Sequence, residues 1–365
     1  MKVFDYNSLN NLVLTPEIVN KMNQIYDLRG QMTNIRLKSP ATLTRMTKIA
    51  KIESTDASNR IEGIYTNHTR LKQLVSQTAI PQNRSEAEIS GYRDVLNLIH
   101  ENYQEINLTT SNILTLHKHL FRFTQDSWAG HFKDINNQVL ESDDSGNTMV
   151  RFDPPAAHLT PNLVDNLCQQ FSTAINRRQL PVLLLCAAFT FDFVTIHPFR
   201  DGNGRMSRLL MLLTLSRAGF TVGQYISLEK LIEEQKDAYY ATLLSSTTHW
   251  SINKNDYGPF VNFFLSIVLQ AYRDFHDRIN PSVKDFEQIV PRPRSLHNLP
   301  LRRITPQLLV ARALQDALVP ITKQQIMVAV PQYSQKTIER ALKQLVESHS
   351  VKMFGRSRGT KYQLA

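Results

Sequence analysis

The sequence predicts a mainly α-helical protein with one short β-hairpin and a small basic domain at its C-terminal end. Two apolar runs, residues 181–193 and 209–218, have the length and composition of buried helices, and they enclose a polar segment. The helical pattern breaks over residues 128–155, where an Asp/Asn-rich turn favours a hairpin. A proline-containing stretch, residues 281–300, then separates this body from residues 301–365.

The composition favours a globular protein in a reducing compartment. The chain has 365 residues, of which 42% are hydrophobic, and this length predicts two or three domains with sizeable cores. No run reaches the roughly 18 apolar residues of a membrane span, and residues 1–15 lack the unbroken apolar core of a signal peptide. Cys168 and Cys186 lack metal-ligand spacing. We therefore expect a cytoplasmic protein without membrane contact.

Residues 1–104 are predicted to form an N-terminal helical region. Over residues 43–67 the apolar residues follow helical spacing except at 54–58, where Ser and Asp residues predict a junction between two helices. The second helix carries Ser58 and Glu62, which lie four residues apart and therefore on one face, and Gly63 follows them.

A capping pattern predicts the last helix of this region. Ser85 and Glu88 have the Ser-x-x-Glu spacing of a capping box, so a helix is expected from Ser85 to residue 104. Residues 105–280 are predicted to form the next region, beginning with a helix over 107–123. His117 lies on the apolar side of that helix, where a histidine is more often packed in a core than a ligand.

The hairpin is predicted from residues 130–140. Gly130, Phe132 and Lys133 come before the Asp/Asn turn at 134–137, and Val139 follows it. A hairpin with a free edge can hold an extended peptide through main-chain hydrogen bonds, while a surface ribbon without a role is the alternative. Further helices are predicted over residues 160–178, 228–244 and 257–279, followed by a linker at 281–300.

Residues 301–365 are predicted to form three helices and a strand–turn–strand, which resembles a winged-helix domain. This segment holds eleven Lys and Arg residues against three Asp and Glu residues. The presumed recognition helix and wing tip carry Gln335, Lys336, Arg340, Lys343, Arg356 and Arg358. Winged helices bind DNA or dock proteins, so both roles stay open, and DNA is one expected partner.

The polar segment His-Pro-Phe-Arg-Asp-Gly-Asn-Gly-Arg-Met-Ser-Arg, residues 197–208, has the composition of a reactive polyanion site. Its glycine-bracketed turn, Gly202-Asn203-Gly204, lets backbone N–H groups converge on an anion, and a helix N-terminus follows. Arg205 and Arg208 add charge-assisted contacts to phosphate. Asp201 suits a Mg²⁺ ion held between one carboxylate and phosphates. His197 is the candidate general base.

This segment resembles the signature of the Fic family, HPFx(D/E)GNGRxxR, at every defined position. The resemblance implies a Fic-type helical bundle that transfers AMP from ATP to a Ser, Thr or Tyr hydroxyl of a protein, with Mg²⁺ as cofactor. By position, His197 would be the base, Asp201 the Mg²⁺ ligand, and the phosphate-binding residues Gly202, Asn203, Gly204, Arg205 and Arg208. Tyr239 and Tyr240 lie where the family tends to place tyrosine near the nucleotide, although ordinary core packing explains them equally well.

Residues 58–63, Ser-Asn-Arg-Ile-Glu-Gly, resemble the inhibitory motif of Fic proteins, (S/T)xxxE(G/N). The resemblance implies that Glu62 pairs with Arg208 and competes with the γ-phosphate, so that the enzyme inhibits itself. It also implies that Glu62 can take part in removing AMP. The hairpin is similar to the flap that positions the target residue, with Lys133 where many relatives have Arg. Automodification and a homodimer are further expectations from the family.

A transcriptional regulator is the alternative function. In that case the C-terminal domain would bind DNA and the nucleotide site would only sense a ligand. A P-loop kinase is disfavoured, because the sequence contains no Gly-Lys-Ser/Thr.

Overall fold

The computed structural model describes residues 2–6, 9, 14–38, 40–142, 148–279, 305–317, 320–330, 333–355 and 360–364. The chain divides into two compact units, Met1–His276 and Asp277–Ala365. The predicted linker at 281–300 lies outside the described residues, as do Arg356 and Arg358. Among the described residues, no helix is long and apolar enough to cross a membrane.

The first unit is a helical bundle with one two-stranded antiparallel sheet. Its first five helices are α1 (Pro16–Lys38), α2 (Pro40–Ile61), α3 (His68–Val75), α4 (Arg84–Asn102) and α5 (Thr110–Leu120). The strands are β1 (Val139–Ser142) and β2 (Thr148–Phe152), and the helices after them are α6 (Thr160–Arg177), α7 (Val182–Ile196), α8 (Asn203–Arg217), α9 (Leu228–Glu234), α10 (Lys236–Thr247) and α11 (Gly258–Ile279).

Helices α7 and α8 occupy the centre of the bundle, as their sequences predict. Every residue of α7 from Leu183 to Phe193 is buried, and so is every residue of α8 from Arg205 to Ser216. A helix that is apolar on all sides can only be stable when neighbours surround it. The short connection between α7 and α8, residues 197–202, is therefore anchored at both ends in the core, and this connection is the predicted reactive segment.

Helix α2 corrects the predicted junction at residues 54–58, because it is continuous from Pro40 to Ile61. The polar residues that suggested a break are buried and hydrogen-bonded. The Ser54 hydroxyl donates to Oε2 of Glu229 over 2.7 Å, and the Thr55 hydroxyl donates to the backbone oxygen of Lys51 over 2.7 Å. Because these buried hydroxyls have hydrogen-bond partners within the protein, they do not need solvent, and the helix continues without a break.

Two further predicted helix boundaries were wrong. Helix α4 is capped by Asn83, whose side chain accepts from the backbone N–H of Glu86 over 2.9 Å, so Ser85 and Glu88 form no capping box. Glu88 instead forms ion pairs with Arg84 and Arg205. The predicted helix over 228–244 is two helices, because Gln235 leaves the helical conformation with φ −119° and ψ 33°.

The hairpin lies later in the chain than predicted. Its strands are β1 and β2, with Leu140 opposite Val150. Val139 is in a strand, but Gly130, Phe132 and Lys133 form an irregular segment before it. Their backbone groups bond to the helical core rather than across a strand pair: Lys133 N–H donates to the Pro198 oxygen over 2.9 Å.

The described part of the second unit, from residue 305 onward, contains three helices and a small antiparallel sheet. In chain order it has α12 (Pro306–Ala317), β3 (Ile321–Thr322), α13 (Lys323–Ala329), α14 (Gln335–Glu347), β4 (Val351–Phe354) and β5 (Lys361–Leu364), with sheet order β3-β5-β4. Its own hydrophobic core includes Val310, Leu314, Ile326, Ile338 and Leu342. Strand β3 was not predicted, because two residues are too few to show a period.

Candidate active site

His197 lies at the C-terminal end of α7 in a left-handed conformation, with φ 50° and ψ 59°. Its backbone N–H donates to the Phe193 oxygen over 3.2 Å, and its Nδ1 is 3.3 Å from the Val194 oxygen. Burial lowers the pKa of the His197 imidazole to about 4. The ring is therefore neutral near pH 7, and an Nδ1–H that donates to Val194 leaves Nε2 as the basic nitrogen.

The loop after His197 is held by the side chain of Asn203. Its Oδ1 accepts from the Phe199 N–H over 2.9 Å, and its Nδ2 donates to the Phe199 oxygen over 2.8 Å. Gly202 has φ 79°, and a β-carbon there would lie 2.7 Å from the Phe121 ring. Asn203 and Gly202 therefore determine the conformation of the loop. The sequence pattern indicated only a role in anion binding for these two residues.

His117 also contacts this loop, and sequence reasoning placed it only in the core. Its ring stacks on Phe199 with centroids 3.7 Å apart and an angle of 3° between the planes. Nδ1 accepts from the Gly130 N–H over 2.9 Å, so Nε2 carries the proton and donates to the Asp201 backbone oxygen over 3.1 Å. Burial lowers the pKa of His117 to about 4. No local pattern in the sequence indicates these contacts.

Arg208 is bound by the end of α2 and the residue just after it. Its Nε donates to the Ser58 hydroxyl over 2.8 Å, and its Nη2 donates to the Ser58 backbone oxygen over 2.9 Å. Nη2 also donates to Oε1 of Glu62 over 2.7 Å. The Arg208 side chain is only 2% exposed. The structure thus brings Ser58, Glu62 and Arg208 together, as the motif resemblance implies.

The charge on Glu62 follows from these contacts. Burial alone would raise the pKa of Glu62, but the Arg208 charge and hydrogen bond, with smaller contributions from Arg205 and His197, hold it below its usual value. Glu62 is therefore ionised near neutral pH. Gly63 has φ 77° and turns the chain away from α2 immediately afterwards. This turn leaves the Glu62 side chain facing α8.

Arg205 has different surroundings from Arg208. It is 1% exposed, its Nη1 is 2.7 Å from Oε2 of Glu88, and its Nη2 is 3.6 Å from Oδ1 of Asp201. Its Nε is buried without a hydrogen-bond partner among the described residues. Glu88, which sequence reasoning assigned to a helix cap, is the main partner of Arg205. In this conformation the Arg205 guanidinium forms an ion pair with the Asp201 carboxylate.

Asp201 is the carboxylate that could hold a metal ion. Its side chain is 52% exposed, so a hydrated cation can reach it. Within the described ranges there is no group of three His, Cys, Asp or Glu residues that could bind a metal alone. One accessible carboxylate fits Mg²⁺, which usually keeps several waters and takes its remaining ligands from substrate phosphates.

A cavity beside α8 collects several of these groups. It contains about 650 Å³ of space, part of it open to solvent, and is lined by Glu62, His197 and residues of α7, α8, α10 and β2. The polar end presents Glu62, His197, Gly204 and Arg208. The apolar end presents Phe152, Tyr239, Tyr240, Leu243 and Leu244. Among the side chains that the structure describes, those of Asp201, Asn203 and Arg205 do not line it, and neither do Gly130, Phe132 and Lys133.

The predicted flap residues lie against the motif loop. Lys133 is 3% exposed, and its Nζ donates to the Asn137 oxygen over 2.7 Å. Burial lowers the pKa of Lys133 to about 8. Phe132 stacks near Phe199, with centroids 6.1 Å apart. Gly130, with φ 82°, packs against Lys118. The β1–β2 pair reaches the cavity through Phe152.

The helical bundle and the loop between α7 and α8 define a Fic-domain protein. Residues 107–215 match the Fic/DOC family. This match covers α5 through most of α8.

Relatives and solved structures agree with this assignment. The protein adenylyltransferase Fic of Drosophila erecta is 27% identical over 269 residues, covering 70% of this chain and 49% of the relative. That of Drosophila melanogaster is 31% identical over 165 residues, covering 44% of this chain and 28% of the relative. The chain therefore spans half or less of the length of these relatives.

Two crystal structures share the fold. A Fic family protein from Desulfovibrio desulfuricans superposes with a TM-score of 0.60 at 20% identity, covering 97% of both chains. A Fic domain containing signaling protein from Bacteroides thetaiotaomicron has a TM-score of 0.60 at 23% identity, covering 71% of this chain and 97% of the other. The first of these likenesses extends over the whole length of the chain.

Proposed function

We propose that this protein is a Mg-ATP-dependent protein adenylyltransferase that inhibits itself through Glu62. The observation that carries the proposal is that a neutral His197, Gly204 and a buried Arg208 line one cavity. The cavity opens to solvent, and its lining combines a few polar groups with aromatic and aliphatic side chains, as ligand sites commonly do. Its polar end suits phosphates, and its aromatic end suits a nucleoside.

His197 acts as the general base in this proposal. Nε2 takes the proton of the target hydroxyl as the hydroxyl oxygen attacks the α-phosphorus, and the bond to the bridging oxygen breaks so that pyrophosphate leaves. The low pKa of the ring keeps Nε2 unprotonated and ready to accept. Phosphate charges beside the ring would raise that pKa toward neutrality, which improves the base when the nucleotide is bound.

The phosphates are proposed to lie against the N-terminus of α8. Gly204 admits them closely because it has no side chain, and the helix dipole and first-turn N–H groups favour anions there. Arg208 would bind the terminal phosphate. Asp201 would hold a Mg²⁺ ion, which neutralises phosphate charge when bound. Arg205 would keep Asp201 oriented, and Tyr239 and Tyr240 would border the nucleoside.

Self-inhibition follows from the contacts of Arg208. The guanidinium donates two hydrogen bonds to Ser58 and one to Glu62, so those donors are not available to a γ-phosphate. The ionised Glu62 also lies beside Gly204, where it repels phosphate oxygens. ATP bound without Arg208 would place its α-phosphorus out of line with the incoming hydroxyl. The same carboxylate could activate water to remove AMP from a modified target.

Label transfer tests the activity. With α-labelled ATP and Mg²⁺, the wild type should label itself or an added protein weakly, Glu62→Gly should label it strongly, and His197→Ala should not label it. Glu62→Gln is the matched control, because it keeps the size of the side chain and removes only its charge. Absence of label with Glu62→Gly, despite tight Mg-ATP binding, would contradict a transferase and favour a nucleotide sensor.

Removal of AMP is tested separately. Target that carries AMP, prepared with the Glu62→Gly protein, is incubated with wild-type protein in excess. Loss of label with the wild type but not with Glu62→Gln would assign the carboxylate to this reaction. Equal loss with both proteins would exclude it.

A DNA-binding role of the C-terminal unit is the second candidate. Helix α14 presents Lys336, Arg340 and Lys343 as exposed residues at helical spacing on one face. This unit is proposed to be a winged-helix domain with α14 in a DNA groove. Binding of the full chain to a labelled duplex should weaken steeply with salt, and the triple substitution of these cations by Gln should abolish it. Salt-insensitive or absent binding would leave protein docking as its role.

A further inference from the structure

His117 connects two segments that are distant in sequence. Its Nδ1 accepts a hydrogen bond from Gly130, where the chain leaves the helical core, and its Nε2 donates one to the carbonyl of Asp201 in the motif loop. The ring also stacks on Phe199 of the same loop. The side chain is fully buried, with 0% exposure. Both hydrogen bonds are therefore shielded from competition by water.

The same two segments are joined again further along. The Lys133 N–H donates to the Pro198 oxygen over 2.9 Å, and the Asn137 amide donates to the Phe199 oxygen over 3.0 Å. Arg200 forms two hydrogen bonds of 2.7 Å with the carboxylate of Asp134. These contacts hold residues 130–137 against the loop at residues 198–201. Loss of the contacts would let the two segments separate.

We infer that His117 is a positioning residue, which fixes the motif loop and the base of the hairpin in one arrangement through its two hydrogen bonds. The Asp201 carbonyl is the point at which the loop turns toward Gly202, so the bond from His117 sets the direction of the Asp201 side chain. The bond to Gly130 sets the start of the segment that leads to β1. Through these bonds His117 aligns Asp201, the carboxylate proposed to hold Mg²⁺, with the hairpin proposed to bind the target.

Two substitutions separate hydrogen bonding from packing. His117→Phe keeps a ring that can stack on Phe199 but loses both hydrogen bonds. His117→Gln keeps one acceptor and one donor at the end of the side chain. His100→Phe is the matched control, because both ring nitrogens of His100 are buried and have no hydrogen-bond partner in the described part of the chain.

Hydrogen exchange on the full chain tests the inference without any activity. In His117→Phe, amides in peptides covering residues 128–137 and 197–203 should exchange about tenfold faster or more than in the wild type. His117→Gln should restore most of the protection, and His100→Phe should leave both peptides unchanged. Unchanged exchange in His117→Phe would overturn the inference. Equal loss in the Phe and Gln variants would assign the role to ring packing and overturn it too.

The kinetic test rests on the proposed function and is done in the Glu62→Gly background. His117→Phe should lower kcat for AMP transfer about 10- to 100-fold, because the loop that carries the reacting groups is misaligned. The KM for ATP should change less than about threefold, since the nucleoside end of the cavity is untouched. A rise in KM with an unchanged kcat would contradict a positioning role. If Glu62→Gly alone transfers no AMP, the proposed function fails and the exchange result still decides the role of His117.

Discussion

The carboxylate of Glu62 lies directly against Gly204, so that a β-carbon at position 204 would be 2.2 Å from Glu62 Oε1 and 3.3 Å from Arg208 Nη1. Gly204 is helical and has no positive φ, so its own backbone does not demand glycine. What excludes a larger residue is the ion pair beside it. Gly204 and the Glu62 carboxylate are therefore coupled.

A double-mutant cycle measures this coupling. Gly204→Ala should destabilise the wild type, because the new methyl group displaces Glu62 from Arg208. In the Glu62→Gly background the same change should be neutral or stabilising by up to about 1 kcal/mol, because Ala is the better helix residue. Urea unfolding of the four proteins gives the interaction free energy. Equal effects in both backgrounds would contradict the coupling.

Ser58 should contribute to stability through its hydroxyl. Ser58→Ala leaves the buried Nε of Arg208 without an acceptor, and an unsatisfied buried charged donor costs about 1–3 kcal/mol. Ser90→Ala is the matched control: Ser90 is equally buried, at 0% exposure, and its hydroxyl has no partner among the described residues. We expect a free energy of unfolding in urea that falls for Ser58→Ala and changes by less than about 0.5 kcal/mol for Ser90→Ala. Equal losses would show that Ser58 acts only by volume.

The Glu62–Arg208 ion pair should make stability depend on pH on the acid side. The folded pKa of Glu62 lies below the ordinary 4.5, so its contribution is present above 4.5 and is lost as pH falls through the folded pKa. Wild type should be more stable than Glu62→Gln at pH 7, and the difference should shrink below about pH 4.5. Thermal melts of both proteins from pH 7 to pH 3 measure this. A constant difference would mean that the carboxylate is not paired in solution.

His100 should also lower the stability on the acid side, but from a higher pH and through burial rather than the loss of an ion pair. Burial lowers its pKa from 6.5 to about 3, so the unfolded chain binds a proton that the folded chain refuses. Stability should therefore fall as pH decreases below 6.5, by at most about 1.4 kcal/mol per pH unit for this one group. His100→Phe should reduce that slope between pH 6 and pH 4, as measured by urea unfolding at each pH. An unchanged slope would indicate that His100 is protonated in the fold.

The residues of the reactive loop could be predicted because they are contiguous in sequence. Residues 197–208 are neighbours in the chain, and the apolar runs on either side of them predict the two helices that hold them. The Glu62–Arg208 contact joins distant positions, and only the family resemblance indicated it. The partners Glu88 of Arg205 and Gly130 of His117 could not be predicted, because a carboxylate in a helix and a glycine in a loop have no distinctive pattern.

The hairpin was misplaced for a related reason. The Asp/Asn cluster at 134–137 has turn composition, but Asp134 and Asn137 bond to Arg200 and Phe199 in the motif loop. Tertiary contacts therefore overrode the local turn signal. Homodimerisation, automodification and the DNA-binding role remain predictions from family and charge.

Arg208 donates a hydrogen bond to the backbone oxygen of Ser58, which limits how far side-chain substitutions can release the guanidinium. No substitution of Ser58 or Glu62 removes a main-chain carbonyl, so each leaves the guanidinium partly tethered. Complete freedom for Arg208 requires the last turn of α2 to shift or unwind. If the Glu62 contact inhibits the protein as proposed, a partner that draws the end of α2 outward would free Arg208 and activate the protein with its glutamate intact.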